Sequence, residues 1–131
     1  MNRRIEGSKI IEEVKQAAIV HLNAKSAEEA LSHFTKDIVA VSNEKLFPAF
    51  DTLEKDVKDY YKILNKINYA KWSDINIQVI NNDAGTFTAK FNYGFTSIDN
   101  EVTDLKGIWT ALFVWESGIW KIRLRHETVS D

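Results

Sequence analysis

The sequence predicts an α+β domain, with three N-terminal helices packed on a strongly curved antiparallel sheet. Apolar residues recur at spacings of three and four through the first part of the chain, as on one helix face. From Tyr69 onward they alternate with polar residues, the period of half-buried strands. The alternating rows are long and rich in Phe and Trp, so a sheet built from them has to curve around an apolar interior.

The first helix is expected from Ser8 to about Ala24, with Ser8 as its cap and Ile10, Val14, Ala17, Ala18 and His21 along one side. A short second helix runs from Ser26 to Phe34. Ser26 and Glu29 have capping-box spacing, and Ala27, Ala30, Leu31 and Phe34 form the apolar stripe. Ile38-Val39-Ala40-Val41 is β-branched and reads as a buried strand. Lys45 to Phe50 is a short strand or arm, with Pro48 marking an edge or irregular position. Asp51 and Glu54 open a third helix that carries Leu53, Val57, Tyr60, Leu64 and Ile67 on one face, with Tyr61 beside it.

Ile75, Ile77 and Val79 alternate with polar residues up to the turn at Asn81–Gly85. Phe87, Ala89, Phe91, Tyr93 and Phe95 form the next row, and Asp99-Asn100 a hairpin tip. Val102 to Trp115 is one long strand, apolar on both faces from Ile108, and Glu116-Ser117-Gly118 turns the chain. In the last strand Trp120, Ile122, Leu124 and His126 share one parity, which points inward. Lys121, Arg123 and Arg125 share the other and form a solvated or interface stripe.

The 131 residues fit one domain, taken as residues 1–131, large enough to bury a core without staples. A net charge of −2 without a concentrated basic face argues against nucleic acid as a partner. With no cysteine there is no disulfide, thiol nucleophile or Cys-ligated metal. No apolar run approaches a membrane span, and Met1-Asn2-Arg3-Arg4 is followed by charged residues rather than the apolar stretch of a signal peptide. The expected location is therefore the cytoplasm, away from membranes.

Helix, short helix, strand, arm, helix and four long strands is an order that resembles the nuclear transport factor 2-like, or cystatin-like cone, superfamily. The chain is similar to its SnoaL-like, ketosteroid-isomerase-like and kinase-association-type bacterial domains. Local support comes from Phe34-Thr35-Lys36-Asp37, the Gly107–Trp115 strand, and Gly118-Ile119-Trp120-Lys121-Ile122 followed by His126-Glu127-Thr128. In the last of these Thr128 stands where Ser is commoner in the family. The resemblance runs from Ile10 to Thr128 and implies a cone with a small-ligand pocket at its open end. It also implies a homodimer through the outer sheet face. That face is either Trp109-Ala111-Phe113-Trp115 or Ile108-Leu112-Val114, with Arg123 and Arg125 flanking it.

The isomerase constellation of the family does not carry over: the first helix has no tyrosine and the Ile38–Val41 strand no carboxylate. The catalytic candidate is His126, whose imidazole exchanges protons near neutrality; the alternative is a histidine that closes the core. Tyr60, Trp72, Tyr93, Trp109 and His126 are the expected ligand-binding set, with plain core packing the alternative for the aromatics. His21 is expected to pack a helix and His33 to be solvated. No two histidines have ligand spacing, so neither metal nor cofactor is expected. The function expected is binding of a small apolar ligand, with isomerase-, cyclase- or dehydratase-like acid/base chemistry. The alternative is a non-catalytic dimeric adaptor whose cone is filled by Phe87, Phe91, Phe95 and Trp120.

Overall fold

Helix α1 spans Gly7–Leu22 and buries Ile10, Val14 and Ala18, which lie four residues apart on one stripe. Its cap position is Glu6 rather than Ser8, without a side-chain cap bond. Helix α2 is one and a half turns, Ala27–Ser32. Ser26 Oγ accepts the Glu29 N–H at 3.0 Å as its sequence spacing requires, while Glu29 reaches back to the Lys25 N–H at 3.3 Å. Strands β1 (Phe34–Ser42) and β2 (Lys45–Phe47) form a hairpin before α3 (Phe50–Ile63). Thr52 Oγ1 closes the first turn of α3 by accepting the Ala49 N–H. The four long strands follow: β3 (Leu64–Asn81), β4 (Ala84–Ser97), β5 (Val102–Glu116) and β6 (Ile119–Ser130).

These elements come from a computed structural model, which describes residues 6–130. The basic start at Met1–Arg4 lies outside the described residues. No helix among the described residues is long and apolar enough to cross a membrane.

The strands make one sheet in the order β2-β1-β6-β5-β4-β3. Two expectations are corrected here. The sheet is mixed, because β1 runs parallel to β6. The grouping of all three helices ahead of the sheet is corrected as well, while the strand, arm and helix order read element by element holds: β1 and β2 come before α3. Local periodicity identifies β1 as a strand but cannot say which neighbour it joins, and that neighbour is the end of the chain. Helix α3 also stops at Ile63, so Leu64 and Ile67 belong to β3 and pair with Ser97 and Phe95.

The turns follow their chemistry. Asn81 Oδ1 accepts the Asp83 N–H at 2.8 Å, Asn100 sits at φ 65°, and Ser117-Gly118 at φ 54° and 84° form a two-residue hairpin loop. Register shifts at four places along β3 bend the long hairpin. α1 packs across β3 and β4 on the concave side. Phe87, Trp109, Ala111, Phe113 and Ile122 fill the interior. Gly107 has to be glycine, because a side chain there would meet the Thr128 carbonyl and the Phe91 ring.

Candidate functional site

The inward rows converge on a cavity of about 230 Å³ between α1, α2, α3 and the concave sheet. Tyr60 of α3, Trp72 of β3, Tyr93 of β4 and Trp109 of β5 all line it. Four of the five expected ligand-binding residues are thus together. The fifth, His126, is not: it is exposed on the outer face, paired with Thr110 and Val41.

The inward placement of His126 is corrected by one residue. In the β5–β6 ladder Phe113 faces Ile122 but Leu112 faces Leu124, so Arg123 is an extra residue. This bulge reverses the parity of everything after it. Trp120 and Ile122 point inward before it; Arg125, Glu127 and Val129 line the cavity beyond it. Leu124, His126 and Thr128 are turned out. The expected basic stripe is broken in the same way: Arg123 stays exposed and meets Asp37 of β1 at 3.3 Å, whereas Arg125 is buried.

At one end of the cavity the Tyr60 and Tyr93 hydroxyls hydrogen-bond to each other. Tyr61 beside them donates to the Ala24 carbonyl at 2.8 Å. Burial raises all three phenols above their ordinary range, so they stay protonated. In the Tyr60–Tyr93 pair one proton bridges the two oxygens and the other remains available to a ligand oxygen. The middle is aromatic: Trp72 and Trp109 lie 5.1 Å apart by ring centroids, and the Trp72 indole N–H is satisfied by the Ala18 carbonyl at 3.0 Å.

The deep end holds the groups that sequence reading missed. Arg125 lies between Ala40 of β1 and Ala111 of β5, whose small side chains leave it room. Its Nε is 3.7 Å from Glu127 Oε1, and the other Glu127 oxygen accepts from Ser42 Oγ at 3.0 Å. His21, expected to pack a helix, lines the cavity with its ring 6.0 Å from Trp109. His33, expected in solvent, is half-buried with its Nδ1 2.9 Å from His21 Nδ1. Burial first, then the charges of His33 and Arg125, hold His21 down to about 3. His33 is lowered too, by burial and against the pull of Glu29. Both rings are therefore neutral at pH 7, one Nδ1–H donating to the other Nδ1. No group of three potential ligands that could hold a metal occurs among the described residues.

No family model matches the sequence, and neither does any curated protein. Solved structures do match in shape. A proposed dehydratase of the nuclear transport factor 2-like family from Streptomyces avermitilis superposes with a TM-score of 0.81 at 12% identity, over 95% of this chain and 99% of that one. A nuclear transport factor 2-like superfamily protein from Salmonella enterica gives 0.79 at 11%, over 93% and 92%. A ketosteroid isomerase-like protein from Erwinia carotovora gives 0.73 at 13%, over 92% and 95%. At such identities the likeness is one of backbone, and it covers more than nine-tenths of both chains: this protein has the nuclear transport factor 2-like, cystatin-like cone fold.

Proposed function

We propose that the cone interior binds a small, largely apolar ligand in the manner of a SnoaL-like pocket, hydrogen-bonding its carbonyl or hydroxyl oxygen through the Tyr60–Tyr93 pair. The observation that carries this reading is the cavity itself, aromatic along its walls and polar at its two ends. Its volume of about 230 Å³ selects ligand size. A cavity of roughly 150 Å³ holds benzene, so one substituted ring fits here and a steroid does not.

Acid/base turnover, of the dehydratase or isomerase kind found among proteins of this fold, is the second step of the proposal. The phenols would polarise a carbonyl; of the two carboxylates that line the cavity, Asp56 is exposed and Glu127 half-buried, and Glu127 is the one that would take a proton. Binding is the better supported of the two, because fold does not choose a reaction.

A thermal-shift comparison of acetophenone with a steroid ketone tests the pocket. Acetophenone at about a hundred times its dissociation constant should stabilise the protein by roughly 2.7 kcal/mol, the steroid should not, and Tyr93→Phe should weaken the effect. An absence of stabilisation by any single-ring compound would remove the pocket reading.

The adaptor reading keeps one specific observation. With Trp109, Ala111 and Phe113 inward, the outer face of β5 and β6 presents Ile108 at 52% and Leu124 at 48% exposure, flanking Thr110 and His126. Exposed aliphatic side chains on adjacent strands of one sheet suit a twofold contact between copies of the chain. We therefore include a homodimer through this face in the proposal. Leu124→Glu is expected to halve the mass measured by light scattering while leaving ligand binding in place; an unchanged mass for the variant, or a monomeric wild type, would remove the dimer.

A further inference from the structure

Arg125 is the one described side chain with a buried nitrogen that lacks a hydrogen-bond partner. The residue is 9% exposed, lines the cavity, and carries a charge that does not ionise away at any physiological pH. Its nearest counter-charge, Glu127, stands 3.7 Å from Nε, beyond hydrogen-bond reach. A structural ion pair of a buried arginine would close to about 2.8 Å. Glu127 is held back because its other oxygen is engaged by Ser42 of β1 at 3.0 Å. The bulge at Arg123 turns this guanidinium into an apolar interior, and Ala40 and Ala111 clear the space beside it. The neighbouring imidazole, His21, cannot compensate the charge, being neutral here and a cation when protonated.

We infer that the ligand of this cavity carries a carboxylate, which the guanidinium of Arg125 receives at the deep end while its ring packs against the touching Trp72 and Trp109 rings. This assignment rests on the pocket reading above and narrows it to small aromatic carboxylic acids. A carboxylate is planar and presents two acceptors at the spacing of the guanidinium donors, so it balances the charge through whatever part of the guanidinium faces the cavity. The tyrosine pair lies on the far side of the aromatic section: Tyr93 of β4 is three inward positions along the sheet from Phe87, which faces Ala111 and, through it, Arg125. A ring substituent would meet the phenols there. Glu127 acts against the ligand anion and moderates its affinity.

The test compares benzoate with its neutral isostere benzamide by isothermal titration calorimetry on the full chain, in wild type, Arg125→Met and Glu127→Gln. Benzoate is expected to bind wild type at least tenfold more tightly than benzamide. Arg125→Met should erase that preference and keep benzamide binding, and Glu127→Gln should strengthen benzoate several-fold. The wild-type comparison stands even where a variant fails to fold. Equal affinities for the two probes in wild type, or a preference that survives in folded Arg125→Met, overturn the carboxylate assignment and leave the pocket. Binding of neither probe, with no binding of acetophenone, overturns the pocket and the assignment together.

Discussion

Lowering the pH from 7 toward 4 is expected to destabilise this protein more steeply than it destabilises its His21→Gln variant. His21 titrates ordinarily at 6.5, and in the fold it is held down to about 3 by burial, His33 and Arg125. A proton therefore prefers the unfolded chain throughout that interval. The stability that the neutral imidazole contributes is complete above 6.5 and is lost as the pH falls toward 3, by up to ~1.4 kcal/mol per pH unit. His33 titrates in the same direction and adds to the slope. The variant retains a donor and an acceptor near His33 but does not titrate. Urea melts of both proteins at half-unit intervals between pH 4 and 7.5 give the difference directly, and carboxylates common to both cancel in it. A difference that stays constant with pH would mean that His21 is not held neutral.

The second large effect is mechanical. Phe87 is fully buried and meets Trp72, Trp109 and Phe113 at centroid distances of 5.0, 5.8 and 6.3 Å. Phe87→Ala removes the ring from the centre of that cluster and is expected to cost about 3–5 kcal/mol, a large share of what a domain of this size has to lose. Ile108→Ala, one position off the inward row of β5, is the matched control. Its side chain is 52% exposed, and its loss should change the stability of the monomer by under about 0.5 kcal/mol. Chemical denaturation at low protein concentration separates the two. Comparable losses would mean that the sheet buries the opposite face from the one described.

Phe87 was readable because its strand alternates cleanly: Phe87, Ala89, Phe91, Tyr93 and Phe95 share one parity, and all face inward. The same rule placed Tyr93, and helical spacing placed Tyr60, while alternation alone left open which face of β5 carries Trp109; all of them line the cavity. It failed at His126. Alternation predicts a side only while the ladder keeps its register, and the Arg123 bulge breaks that register with no glycine, proline or asparagine to announce it. The pair of small residues that make room for Arg125, Ala40 and Ala111, reads simply as apolar when each is met in its own strand. The His21–His33 contact joins the last turn of α1 to the residue after α2, and no spacing rule connects them.

The existence and type of the helices and strands, though not the border between α3 and β3, the turns and the aromatic core were thus properties of the chain taken locally. They rest on interactions within a few residues and on the two periods at which side chains repeat along a helix or a strand. The parallel seating of β1 against β6, the neutral histidine pair and the inward guanidinium of Arg125 depend on partners brought together from distant parts of the chain. Local periodicity carries no information about such pairings, so the aromatic walls of the site were legible and its charged end came only with the folded sheet.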